Sequence, residues 1–98
     1  MNTEGVRFVW DEAKAESNQK KHGVSFEEAV TVFADEDGRF KHDPDHSKEE
    51  DRFILLGFSS KLRLLVVCHA YRDNDNLIRI ISARKATRNE SKQYGRFK

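Results

Sequence analysis

Three arginines interrupt stretches that otherwise read as β-strand. Arg63 opens the apolar run Leu62 to Val67, Arg79 breaks Leu77-Ile78-Ile80-Ile81, and Arg84 closes the same run just before a helix. A charge in such a run must be paired, sit at an edge or face a polar site, because an unpaired buried charge is very costly. Two readings follow: a solvent-exposed sheet face salt-bridged to the acidic first half of the chain, or an anion-binding face. With a turn centred near Asn74, His69 lies opposite Arg79 and Leu64 opposite Arg84. Strict alternation then puts Arg79 and Arg84 on opposite faces unless a bulge intervenes.

The four histidines separate by context. His22 follows Lys21 at a helix end beside a glycine, whereas His69 lies inside an apolar strand and reads as structural. His42 and His46 flank Asp43 and Asp45 in a His-x3-His arrangement, but no cysteine or third histidine stands nearby. A solvated loop is the preferred reading there, and no metal or cofactor is expected. No glycine-rich phosphate loop, paired-cysteine motif or nucleophile elbow is present, which sets aside the NTPase, zinc-ribbon and hydrolase classes. Histidine, lysine and arginine together permit one metal-free chemistry: cleavage of RNA through its own 2′-hydroxyl. A base takes the hydroxyl proton, cations steady the pentacoordinate phosphorus and an acid protonates the departing 5′-oxygen. Histidine titrates in the right range, a neighbouring lysine lowers its pKa, and arginine's planar fork suits phosphate oxygens.

The elements that must position these groups are legible from caps and periodicity. Val6 to Trp10 reads as a short strand, with Val6, Phe8 and Trp10 alternating against Arg7 and Val9. Asp11 is a helix N-cap, and residues 12 to 21 form a polar helix with a thin inward stripe at Ala13, Ala15 and Asn18, ended by His22-Gly23. Ser25-Phe26-Glu27-Glu28 has the capping-box pattern, and Phe26, Ala29, Val30 and Phe33 follow at helical spacing. The acidic stretch 34 to 52 holds a short strand around Arg39 to Lys41 and a loop from Asp43 to Asp51. Strands at Arg52 to Phe58, Leu62 to Tyr71 and Leu77 to Ala83 follow, and Thr87 to Glu90 caps a short helix ending near Gly95. The expected order is β-α-α-β-β-β-β-α, an α+β fold with a mainly antiparallel sheet, as a single domain over residues 1–98.

Composition narrows the class further. The 98 residues carry 18 Lys+Arg and 17 Asp+Glu, a net of +1, and charged and apolar residues make up 36% and 37%. The total argues against a broad basic nucleic-acid face, yet it hides a net of −6 through residue 60 and +7 from Lys61 onward. Cys68 is the sole cysteine and lies in an apolar run, so it reads as an inert thiol rather than a nucleophile. The polar opening Met1 to Gly5 does not resemble a signal peptide, and no apolar run approaches a membrane span, which makes the cytoplasm the expected compartment.

Several of these residues together resemble a known family. Phe8-x-Trp10-Asp11-x-x-Lys14-Ala15-x-x-Asn18-x-x-Lys21-His22-Gly23-Val24-Ser25-Phe26-Glu27-Glu28-Ala29 is similar to the opening signature of the BrnT toxins of bacterial type II toxin–antitoxin systems. Glu50-x-Arg52, Gly57, Arg63, Arg79-Ile80-Ile81-Ser82-Ala83-Arg84-x-Ala86 and Glu90-x-x-x-Tyr94 continue the likeness, which spans Phe8 to Tyr94. The family's middle-loop Asp-x-His stands here without its spacer, as Asp45-His46-Ser47. The resemblance implies a RelE-like fold and an endoribonuclease that halts translation by cutting RNA. It also implies a cognate ribbon-helix-helix antitoxin, which blocks the toxin and carries the complex to operator DNA. Carried over by position, it implies a site of Lys21, His22, Arg63, Arg79 and Arg84. His22 or Lys21 would handle protons and the arginines would hold the scissile phosphate, while Glu90 and Tyr94 would pack or cap. The alternative is a catalytically weak or inactive module that chiefly binds its partner.

Overall fold

The computed structural model describes residues 5–46, 50–72, 74 and 76–95, with His46 described by its backbone only. The first four residues of the polar opening, the middle of the acidic loop and two positions of the turn before Leu77 lie outside these. Elements run β1 (Arg7–Val9), α1 (Glu12–His22), α2 (Phe26–Thr31, continued by a 3-10 turn Val32–Ala34), β2 (Arg39–His42), a 3-10 turn Pro44–His46, β3 (Arg52–Phe58), β4 (Leu64–Arg72), β5 (Leu77–Lys85) and α3 (Arg88–Gly95). The expected order and class hold.

The caps act as the sequence expects, with one exception. Asp11 accepts from the Lys14 amide, Gly23 closes α1 in the left-handed region at φ 69°, and Lys20, Lys21 and His22 occupy the last turn, at the negative end of the helix dipole. Thr87 and Glu90 form a complete capping box, each side chain accepting from the other's amide. At α2 only half of the expected box forms. Ser25 accepts from the Glu28 amide, but the Glu28 carboxylate turns inward to Arg63 and Ser59, where two charge-assisted partners outcompete one backbone amide.

The five strands are ordered β1-β5-β4-β3-β2, an antiparallel meander from β2 to β5 with the short β1 added parallel to β5. One face carries α1 and α2. Val24, Phe26, Ala29, Val32 and Phe33 pack there on Leu55, Leu65, Val67, Ile78, Ile80 and Ala83. His69 is fully buried on this face, within 6.3 Å of the rings of Phe33, Phe40, Phe53 and Tyr71. Burial pushes its pKa down to about 4, so it is neutral. The carbonyl of Val67 can only accept, so Nδ1 carries the proton and Nε2 faces the Tyr71 hydroxyl. The opposite face carries α3, anchored by Tyr94 against Leu56 and Val66.

The β4–β5 register differs from expectation. Arg79 pairs with Ala70, His69 with Ile80, and Arg84 with Val66, with a slip between Cys68 and His69 that leaves Ile81 as an extra residue on β5. This bulge reverses the alternation. Ile78 and Ile80 face the helical hairpin before it and Ala83 after it, so Arg79 and Arg84 share the opposite face.

Candidate active site

Because β1 spans three residues and pairs only with Leu77 to Arg79, the rest of β5 presents an open edge. Helix α1 closes it through one side chain. Asn18, buried, donates to the carbonyls of Val24 (3.0 Å) and Ala83 (2.8 Å) and accepts from the Ala83 amide (3.1 Å). An amide side chain offers both a donor and an acceptor and so stands in for a missing strand residue. Lys21 and His22 lie one turn further along α1. They line a cleft of about 230 Å³ with Lys14, Ser17, Asn18 and the bulged Ile81-Ser82. Ser82 lines this cleft but is not among the site residues expected from sequence, where it stands only as one position of the Arg-Ile-Ile-Ser-Ala-Arg block.

Arg63 approaches the same end of α1 from the hairpin between β3 and β4. Its Nη2 donates to the Gly23 carbonyl at 3.1 Å, next to His22, and its Nε and Nη2 donate to Glu28, itself buried and bonded by Ser59 at 2.7 Å. The guanidinium holds the Glu28 carboxyl below its ordinary range, and the carboxylate raises the Arg63 pKa in return. Arg63 thus fixes the His22-Gly23 corner, leaving Nη1 as its donor not engaged among the described residues.

Arg79 and Arg84 lie on the α3 side of the sheet. They are four residue steps of β4 apart, about 13 Å along the strand. Arg84 forms a fork with Glu90 at 2.8 and 2.9 Å, which draws the Glu90 pKa down to about 2. Arg79 bonds Glu50, whose other oxygen takes Arg72 at 2.6 Å. The five expected site residues therefore fall into two groups. Lys21, His22 and Arg63 gather at the end of α1, Arg79 and Arg84 lie across the sheet, and Ser82 sits where the two meet. The three arginines each carry a carboxylate partner: Arg63 and Arg79 take theirs, Glu28 and Glu50, from the acidic half, as the salt-bridged reading anticipates, whereas Arg84 takes Glu90 from the basic half.

His42 turns to Asp51 at 3.3 Å, and among the described residues no three His, Cys, Asp or Glu side chains gather to hold a metal. The Cys68 thiol is partly buried, and burial raises its pKa, which suppresses the nucleophilic thiolate. Among the described residues no helix is long and apolar enough to cross a membrane.

The fold that carries these groups is similar to that of a ribonuclease toxin of known structure. The crystal structure of the Brucella abortus ribonuclease toxin, BrnT, matches with a TM-score of 0.62 at 25% identity, over 85% of this chain and 99% of that one. Residues 10–90 match the family described as the ribonuclease toxin, BrnT, of type II toxin–antitoxin systems. The chain belongs to that family. No match was found among curated proteins.

Proposed function

We propose that this BrnT-family toxin is a metal-independent endoribonuclease that arrests translation, acting from the cleft at the end of α1. The carrying observation is that His22 and Lys21 share this cleft with Ser82 on the bulge that brings Arg79 and Arg84 to one face. In this reading His22 or Lys21 removes the 2′-hydroxyl proton, and the freed oxygen attacks phosphorus. The bond to the 5′-oxygen breaks, and the other member of the pair returns a proton to that oxygen. Arg63 steadies the charge on phosphorus next to His22, and Arg79 and Arg84 hold the RNA backbone across the sheet. The products are a 2′,3′-cyclic phosphate and a 5′-hydroxyl. The toxin works in the cytoplasm and is neutralised by a ribbon-helix-helix antitoxin, through which alone it reaches operator DNA and represses its own operon.

A second reading has its own support. Arg63, Arg79 and Arg84 are all engaged by carboxylates, as suits a scaffold for holding a partner with little or no cleavage. Expression without antitoxin separates the two. Nuclease action gives growth arrest and cyclic-phosphate RNA ends that disappear in His22→Ala and Arg79→Ala with the fold intact, and cleavage unchanged in EDTA. Arrest that survives both substitutions removes this site, and cleavage abolished by EDTA removes the metal-free mechanism.

A further inference from the structure

The motif Glu50-x-Arg52 has no part in the cleft. Its two side chains instead meet a second arginine cluster on the α3 side of the sheet. Arg52 on β3 and Arg79 on β5 both pair with Ala70 of β4, so the two flank a small, buried residue on one face. Arg72 lies two residues further along the same face of β4. Over this floor Glu50 spreads one carboxylate between two guanidiniums, Oε2 to Arg72 at 2.6 Å and Oε1 to Arg79. Two cations sharing one anion leave a positive charge uncompensated within the trio. The Nε of Arg79 is buried with no acceptor among the described residues, a donor that an additional oxygen would satisfy.

We infer that Arg72 and Arg79 form a phosphodiester-binding site which the Glu50 carboxylate occupies as an internal competitor. A phosphodiester presents two non-bridging oxygens to two donors, as Glu50 does, and adds lone pairs for the vacant Nε. The backbone of a nucleic acid strand enters by displacing Glu50, and apparent affinity falls by the fraction of molecules in which the carboxylate is seated. Only the identity of the ligand rests on the ribonuclease reading; the anion site itself stands on Arg72, Arg79 and Glu50.

The probe is a short fluorescein-labelled oligodeoxythymidylate, which has phosphodiesters but no 2′-hydroxyl, titrated against the full chain by anisotropy over a range of NaCl. Glu50→Gln binds roughly tenfold tighter, with a salt slope steeper by about 0.7, the increment for one further phosphate contact on a single strand. Arg72→Gln, at a half-exposed position at the end of β4, binds more weakly with a slope shallower by a similar amount. Equal or weaker binding by folded Glu50→Gln overturns the inference, since Glu50 then merely orients Arg79. Should Glu50→Gln not fold, Arg72→Gln decides alone, and unchanged binding there overturns it as well. Because the probe cannot be cut, these shifts are read whether or not the chain cleaves RNA. A chain without nuclease activity that shows them retains the anion site and loses only the function proposed above.

Discussion

Replacing Asn18 by leucine tests how the open edge of β5 is closed. The new side chain nearly conserves volume, so the cost comes from polar groups left without partners. The carbonyl of Val24 and both the carbonyl and amide of Ala83 lose their only described side-chain partner at a site where Asn18 is 7% exposed. Each buried, unsatisfied backbone group costs about 1 to 3 kcal/mol. Water can reach a strand edge once the side chain no longer bridges it, so the low end applies and the three together cost about 3 kcal/mol. For a chain of this size that is a fall in Tm on the order of 15 °C. Urea denaturation followed by circular dichroism gives the free energy, and hydrogen exchange at the Ala83 amide reports the edge directly. On the proposed reading of the cleft, cleavage should fall as well, since Lys21 and His22 lie three and four residues further along the same helix. A loss below about 1 kcal/mol, with Ala83 still protected from exchange, would refute the argument that this side chain seals the sheet.

Other expected outcomes follow from individual contacts. His69 is neutral in the fold, with a pKa pushed down to about 4 against an ordinary value of 6.5. The unfolded chain therefore takes up a proton that the fold refuses, and stability drops by on the order of 3 kcal/mol as pH falls from 6.5 to 4. In His69→Phe that slope should flatten, as measured by urea denaturation at each pH. Glu28 and Glu90 both have lowered pKa values, so their contributions are present above about 4.5 and are lost as pH falls, for Glu90 toward about 2. Glu28→Gln should remove part of this acid-sensitive stability, about 2 kcal/mol at neutral pH because Arg63 can partly rehydrate, and an unchanged urea midpoint would count against the pair. Gly57→Ala would place a methyl group 2.9 Å from Val32 Cγ1 and 3.1 Å from the Asp35 carboxylate. Overpacking at that approach should cost about 2 kcal/mol by thermal melt.

What could be read in advance was local. Asp11, Ser25 and Thr87 act as caps because a cap depends on residues three positions away, and Gly23 takes its left-handed φ at the helix end where a glycine is expected. The alternation of Val6, Phe8 and Trp10 finds its place because all three pack against the main core. The features that arrange the site depend on pairing between distant segments. The extra residue at Ile81 leaves no mark in composition, yet it decides that Arg79 and Arg84 share a face. The acidic half was a readable source of partners for Arg63 and Arg79 but not for Arg84, which takes Glu90 from the basic half, and which carboxylate meets which guanidinium depends on register. Glu28 shows the limit plainly: its spacing from Ser25 points to a cap, and a partner 35 residues away takes the carboxylate instead. Asn18 reads only as part of a thin inward stripe on a surface helix, and its bridge to the Ala83 backbone follows only once β5 is known to lie beside it.

The parallel pairing of β1 with β5 also sets an order of events during folding. Val9 meets Arg79, Asn18 meets Ala83 65 positions later, and Arg63 reaches back 40 positions to Gly23. Contacts of such span form late, because long loops must close before they are rewarded. The meander of β3, β4 and β5 has short connections and can assemble first, giving α1 a surface on which to dock. The His22 cleft therefore cannot exist on a nascent chain until β5 has left the ribosome. Until then the growing polypeptide carries Lys21 and His22 without the Ile81-Ser82 wall that completes the cleft around them.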